Sequence, residues 1–187
     1  MRADAKKNYD HLLVIARDVI SEQGANASLR DIARKADVGL ATLYRHFPSR
    51  EALINILLST DLDALTNKAE ELESSEQPGE GLVAWFRSGV DFFQRYRGVT
   101  DLMAAADADP ASALYKSCKT MRSAGTRLLA RAQHDGKART DLDGADLFAL
   151  IAAAGWLRDQ SSFAHRSQYL TDVIARAILT DPTKPIL

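Results

Sequence analysis

Apolar residues recur along nearly the whole chain at intervals of three and four, the period of an amphipathic helix. Nowhere do they alternate as a half-buried strand requires. Leu12, Ile15, Ala16 and Val19 share one face and predict a helix over about residues 5–23, ending near Gly24. Leu29, Ile32, Ala33 and Ala36 predict a second, with Ser28 as its N-cap and Asp31 as a capping-box partner. Asp37-Val38-Gly39 turns the chain into a third, Leu40 to about His46. Pro48 stops that helix, because the residue before a proline avoids helical dihedrals. Ser49 caps a fourth helix over 49–72, whose face runs Leu53, Ile56, Leu57, Thr60, Ala64. Beyond the charged, proline- and glycine-containing stretch ESSEQPGEG, further helices are expected at about 80–96, 100–106, 110–134, 144–164 and 167–180. Asp109-Pro110 is expected to open one of them, and Asp143 or Asp141 to cap the next. The prolines of DPTKPIL forbid more helix. The pattern is that of an all-α chain.

The stretch VGLATLYRHFPSREALI, residues 38–54, stands out within this pattern. At about 100° per residue, Leu40, Leu43 and Phe47 gather on one side of the third helix, where they can pack on the first two. Ala41, Thr42, Arg45 and His46 take the other side, with Tyr44 on the flank. So short a helix is unstable alone and exists only if its neighbours hold it. A pinned short helix that displays Thr, Tyr, Arg and His suits insertion into a groove. Helix, three-residue turn, helix is the arrangement whose second helix enters the DNA major groove. Arg binds phosphate or a guanine edge bidentately, and Thr and Tyr hydroxyls position on phosphates. The helix N-termini at Ser28 and Ser49 favour anions. Taken singly each residue has a plainer explanation: cations at a helix C-terminus, such as Arg45 and His46, gain about 0.3–1 kcal/mol from the helix dipole alone. It is their grouping on one face that favours the groove.

Composition changes this picture only where it is divided. The 187 residues carry a net charge of −1 and an apolar fraction of 46%, ordinary for a globular protein. Residues 1–50, however, hold nine Lys/Arg against six Asp/Glu, a balance of +3, and the remainder a balance of −4. The positive end coincides with the groove-type helices and fits a polyanion partner. One cysteine, Cys118, excludes an internal disulfide framework and fits a reducing compartment. No apolar run approaches the roughly 18 residues of a membrane span, and the N-terminus MRADAKKNYD is polar rather than signal-like, so a cytoplasmic location is expected. His11, His46, His134 and His165 are scattered, and no phosphate loop, nucleophile elbow or metal-ligand spacing is present. No catalytic role, metal or cofactor is expected.

The run V-G-L-A-T-L-Y-R-H-F-P-S-R-E-A-L-I, preceded by S-L-R-D-I-A-R-K-A-D, closely resembles the DNA-binding domain of TetR-family transcriptional regulators over roughly residues 9–58. The resemblance implies that Thr42, Tyr44 and His46 contact backbone or base edges, that Arg30 reaches a base or phosphate, and that Arg50 clamps phosphate. Ser28 and Arg45 belong to the same surface. Leu40 and Ala41 match the family's variable base-reading positions. Both are apolar, able to touch a thymine methyl but not to read a guanine. Base discrimination would then fall on Arg30, Thr42 and Arg45. Two positions depart from the family's commonest pattern: Asp37 where the turn usually has glycine, and Gly39 where a serine often caps the recognition helix. Asp tolerates left-handed dihedrals better than most residues, so the turn should survive.

Residues 80–187 match no motif residue by residue, and the resemblance implies a helical ligand-binding and dimerisation domain there. Trp85, Phe86, Phe92, Phe93, Tyr96, Met103, Tyr115, Cys118 and Met121 concentrate aromatic and soft side chains, which can line an apolar pocket or simply fill a core. Trp85, Phe86, Phe93, Tyr96, Met103, Tyr115, Cys118 and Met121 are the candidate pocket residues. In ALIAAAGWLRD the small residues Ala152, Ala153, Ala154 and Gly155 admit a close helix, and Trp156 offers a large contact. Ala152, Ala153, Gly155 and Trp156, with Val173 and Ala177 of the last helix, are the candidate dimer interface.

The expectation is therefore an all-α protein with an N-terminal three-helix DNA-binding domain at 1–48 carrying a helix-turn-helix. A C-terminal helical ligand-binding and dimerisation domain at 49–187 follows, helix 49–72 connecting the two. Its partners would be a double-stranded DNA operator, a small-molecule effector and a second copy of itself. Ligand in the larger half would move the fourth helix and release a pseudopalindromic operator. Two alternatives stand beside it: a DNA-binding dimer without an effector, and a helical small-molecule carrier whose helix-turn-helix has lost its function.

Overall fold

A computed structural model describes residues 2–24, 27–96, 103 and 108–180, with side chains from Lys6 onward. Among the described residues, eight α-helices and one 3-10 helix follow in order: α1 Arg2–Gln23, α2 Leu29–Lys35, α3 Leu40–His46, α4 Arg50–Glu73, α5 Pro78–Arg95, α6 Ala113–His134, α7 Gly144–Asp159, the 3-10 turn Ser161–Arg166, and α8 Ser167–Ala177. The helix expected at 100–106 lies outside the described residues, apart from Met103.

The ends of the helices show which local signals prevailed. Ser28 caps α2, its Oγ accepting from the Arg30 N–H at 3.1 Å. Asp31 does not complete a capping box, because its carboxylate is bonded by Arg34 at 2.8 Å. Ser49 caps α4 through the Ala52 N–H at 3.1 Å. Helix α6 starts at Ala113 rather than 110: Asp109 folds a turn by accepting the N–H groups of Ala111 and Ser112, and Ser112 becomes the cap through the Tyr115 N–H at 3.0 Å. Asp143 and Asp146 form a reciprocal capping box at the start of α7. The helix expected to reach 164 ends at Asp159, where Gln160 takes an extended ψ of 118° before the serines of the 3-10 turn. Helix α8 stops at Ala177 because the chain then pairs with another segment. Arg139 donates its N–H to Ile178 O and Thr180 to Lys137 O, both at 3.0 Å, around an antiparallel bridge between Ala138 and Leu179.

The chain divides into two compact units, Met1–Asp61 with Arg95–Lys116, and Leu62–Gln94 with Ser117–Leu187. The first is built on Leu12, Ala16, Ile20, Ile32, Leu43, Phe47, Leu53 and Leu57, all buried. It also encloses a polar knot: the Asp61 carboxylate accepts from Arg17 Nη2 at 2.8 Å, Arg95 Nη1 at 2.6 Å and the Tyr96 hydroxyl at 2.9 Å. Burial, then the adjacent carboxylate, raise the Tyr96 phenol above its usual range. For Arg17, burial opposes the charge, but Asp61 and Tyr96 outweigh it and raise the guanidinium.

The second unit packs around Trp85, Phe86, Val90, Leu128, Leu147 and Ile151. Trp85 is fixed from several directions, donating its indole N–H to Leu65 O at 2.8 Å and meeting the Phe148 ring edge-on at 5.9 Å. A side chain at Gly125 would overlap that indole ring, so only glycine admits it. Likewise a Cβ at Gly155 would come within 2.5 Å of Phe93.

Candidate nucleic-acid interface

The turn between α2 and α3 decides how the third helix is presented. Asp37 takes a left-handed φ of 53°, and around it the Val38 N–H bonds Ala33 O at 3.0 Å while the Asp37 N–H bonds Arg34 O at 3.2 Å. These two bonds are the pair that closes a helix end through a residue usually occupied by glycine. Aspartate thus supplies the geometry expected of glycine. Gly39 precedes α3 without a side-chain cap, and the Gly39 carbonyl instead accepts the Thr42 N–H at 2.8 Å.

Leu43 and Phe47 are wholly buried and hold α3 down, whereas Leu40, expected to pack with them, is only half-buried. The side opposite is turned to solvent: Tyr44 is 48% exposed, Ala41 and Arg45 are exposed, and Thr42 and His46 are half-buried. Arg45 Nη2 bonds Thr42 Oγ1 at 2.9 Å, one turn back along the helix. The His46 ring lies 5.9 Å from the Tyr9 ring, and Tyr9 lies 5.3 Å from the Phe47 ring. Tyr9 was not anticipated as part of this surface, although it stands three residues before Leu12 on the apolar stripe of α1.

Around this face the cations differ in their commitments. Arg34 is paired with Asp31 at 2.8 Å and Lys35 with Glu22 at 2.9 Å. Arg30 is exposed and appears in neither pair. Arg50 lies 3.5 Å from Glu51, whose carboxyl is held below its usual range by a backbone N–H at the helix start and by Ser49. The Ser28 hydroxyl oxygen is engaged in the α2 cap, leaving its hydrogen to donate.

The other anticipated site residues are placed as follows. Of the eight pocket candidates, Tyr96, Met103 and Tyr115 belong to the first unit, and Trp85, Phe86, Phe93, Cys118 and Met121 to the second. Tyr96 bonds Asp61, and Trp85 and Phe86 are fully buried core. Two cavities in the second unit have other linings. One of about 490 Å³ is bounded by residues 76–80, Lys137, Leu179 and Thr180; one of about 500 Å³ by Arg122, Thr126, Asp143, Gly144, Ala145 and Phe148.

Among the candidate interface residues, Gly155 is used within the chain against Phe93. Ala153, Trp156, Val173 and Ala177 are exposed and Ala152 is half-buried. Phe163 and Tyr169 join them in solvent, and neither was singled out by sequence. Arg166 stands over the Tyr169 ring at 5.1 Å. Among the described residues, no helix is long and apolar enough to cross a membrane.

Comparison with known proteins meets this geometry at both ends of the chain. The sequence model for bacterial regulatory proteins of the tetR family matches residues 12–56, and that for the C-terminal domain of SbtR-like transcriptional regulators matches residues 77–178. An HTH-type transcriptional regulator of Staphylococcus aureus is 34% identical over 74 residues, 39% of this chain and 40% of that protein. The match thus spans well under half of that curated relative. A TetR transcriptional regulator from Streptomyces coelicolor is similar over 94% of this chain and 99% of its own, at 32% identity and a TM-score of 0.70. A TetR regulatory protein from Mycobacterium vanbaalenii is similar over 96% and 99%, at 28% identity and a TM-score of 0.66. The chain therefore belongs to the TetR family of DNA-binding transcriptional regulators.

Proposed function

We propose that the chain is a homodimeric repressor that binds a pseudopalindromic operator and is released by a small molecule held in its C-terminal part. Residues 1–48 would form the DNA-reading domain, and residues 49–187 the effector and dimerisation domain. The observation that carries the DNA-binding part is the exposure of Tyr44 and Arg45, with Thr42 and His46 half-buried beside them, on a seven-residue helix pinned by Leu43 and Phe47. A helix that cannot stand alone is held with its donors in solvent, as major-groove insertion requires. Arg30, Ser28 and Arg50 would position on phosphates or base edges at the margins of that helix, and Leu40 and Ala41 on thymine methyls.

Dimerisation is supported by the four large apolar side chains Trp156, Phe163, Tyr169 and Val173, left in solvent within eighteen residues of one another. Two recognition helices related by a two-fold would read half-sites about 34–36 Å apart. The effector must bind the operator-incompetent state better than the competent one, since equal affinity shifts nothing.

Fluorescence anisotropy on an operator tests the assignment of the face. Arg50→Ala should weaken binding to every sequence and flatten the salt dependence, Tyr44→Phe should weaken it with the salt dependence unchanged, and Arg30→Ala should also relax base preference. Unchanged affinity in all three variants refutes this face. A thermal-shift screen of small molecules tests the effector, because a ligand at 100 times its Kd adds about 2.7 kcal/mol.

A further inference from the structure

Helix α3 is held firmly at its middle and differently at its two ends. Gly39 gives its start no side-chain cap, and Leu40 is only half-buried. At the far end the backbone becomes extended at Phe47, with φ −132° and ψ 98°. There His46 and Phe47 both bring their rings to Tyr9 of α1. The Tyr9 centroid lies 5.9 Å from His46 and 5.3 Å from Phe47, and 6.2 Å separates His46 from Phe47. Tyr9 stands three residues before Leu12 and seven before Ala16, both buried, so it extends the apolar stripe of α1 by one turn. At that outer position it is half-buried, as is His46. We propose that Tyr9 is a positioning residue for DNA contact, its ring holding the His46 imidazole in the orientation that meets the operator. This rests on the reading of the α3 face above and adds to it a residue from another helix.

The three ring pairs are tilted, at 59° for Tyr9 with His46, 31° for Tyr9 with Phe47 and 46° for His46 with Phe47. Their separations fall within the range of about 4.5–7 Å over which aromatic quadrupoles attract, and that attraction depends on ring orientation. Among the described residues no hydrogen bond fixes the His46 imidazole, which leaves the rings beside it to orient it. An unrestrained imidazole samples several rotamers, and selecting one of them on binding costs affinity. A ring ordered beforehand avoids most of that cost. The two neighbours differ in what else they do. Phe47 is wholly buried and holds the fold, so its loss is felt everywhere. Tyr9 is half-buried at the end of its stripe, and its loss can be felt at DNA while the fold survives.

Proton NMR of the full chain tests the contact, and fluorescence anisotropy on duplex DNA that the protein enriches from a random pool tests its purpose. Overhauser effects should join the Tyr9 and His46 ring protons in the unmodified protein. Tyr9→Leu should shift the His46 ring protons as the neighbouring ring current is lost, and Tyr9→Phe should not. Tyr9→Leu should lower DNA affinity about threefold to tenfold, the contribution of one aromatic pair. Tyr9→Phe, which keeps the ring, should change it by less than about twofold. Circular dichroism should show both variants folded, and the Overhauser measurement stands even where the leucine variant does not fold. In a His46→Ala background Tyr9→Leu should cause no further loss, because the two substitutions remove one interaction. An additive loss there, an equal loss in Tyr9→Phe, or absent Overhauser effects overturns the positioning role. So does unchanged affinity in Tyr9→Leu when His46→Ala binds more weakly, and this leaves the α3 face intact. Unchanged affinity in His46→Ala, or a pool from which no duplex is enriched, overturns the reading on which the role rests.

Discussion

Two surfaces leave large side chains in water, and they do so with opposite chemistry. On α3 the exposed groups are the donors Tyr44 and Arg45, with Thr42 half-buried beside them, above a fully buried Leu43 and Phe47. On α7, the 3-10 turn and α8 they are apolar or aromatic, Trp156, Phe163, Tyr169 and Val173. The first set is stable in water, which solvates its exposed hydroxyl and guanidinium. The second gains little from water and gains most when covered. On the proposed reading, the contrast separates a face for a polyanion from a face for another apolar surface.

The largest way to disturb the comparison is to remove what pins the first face. Phe47→Ala empties a site with no exposure and should cost about 3–5 kcal/mol in urea unfolding, taking DNA binding with it. Next comes the knot that gathers α1, α4 and the end of α5 in the same unit. Asp61→Ala leaves Arg17 and Arg95 without their carboxylate. Because the two arginine side chains are 29% and 40% exposed, the loss should be about 2 kcal/mol rather than the full cost of a buried pair.

The same knot gives a pH signature. Tyr96 is held protonated above its usual pKa of 10, by burial first and Asp61 second. The stability this contributes is complete below pH 10 and is lost as pH rises toward the folded value, since only the unfolded chain releases the proton in between. Tyr96→Phe should therefore flatten the fall in stability above pH 10.

Smaller still is the change on the displaying side of α3. Tyr44→Phe removes one hydroxyl and should lower operator affinity by about threefold to tenfold with no change in unfolding midpoint. An unfolding shift instead would mean that Tyr44 supports the fold and does not read DNA. The smallest effect is at the turn: Asp37→Gly relieves a left-handed φ and should stabilise by about 0.5–1 kcal/mol.

What the sequence revealed follows the range of the forces involved. Periodicity located Leu43 and Phe47 beneath α3, and Ser28, Ser49 and Asp143 were readable as caps because each acts within three residues. The signals failed where a nearby competitor intervened: Asp109 closes a turn and hands the start of α6 to Ser112, and Asp31 pairs with Arg34. They failed again where partners are distant. Nothing local foretells that residues 178–180 leave the helix to pair with 137–139, or that Asp61 gathers Arg17, Arg95 and Tyr96 from 34 to 44 positions away. Tyr96 was consequently assigned to a pocket. Gly155 was assigned to a second copy, but its missing side chain serves Phe93 of its own chain. Phe163 and Tyr169 carried no signal, because exposure of an aromatic depends on what the rest of the fold fails to cover.

The most direct test of the central claim, that the α3 face reads DNA as part of a dimer, is selection of bound sequences from random duplex DNA by the purified protein at two salt concentrations. The account predicts enrichment of a two-fold palindrome with half-sites one helical turn apart, lost steeply at the higher salt as released counterions require. A folded, dimeric protein that enriches no sequence at either salt, with or without added effector candidates, would contradict it.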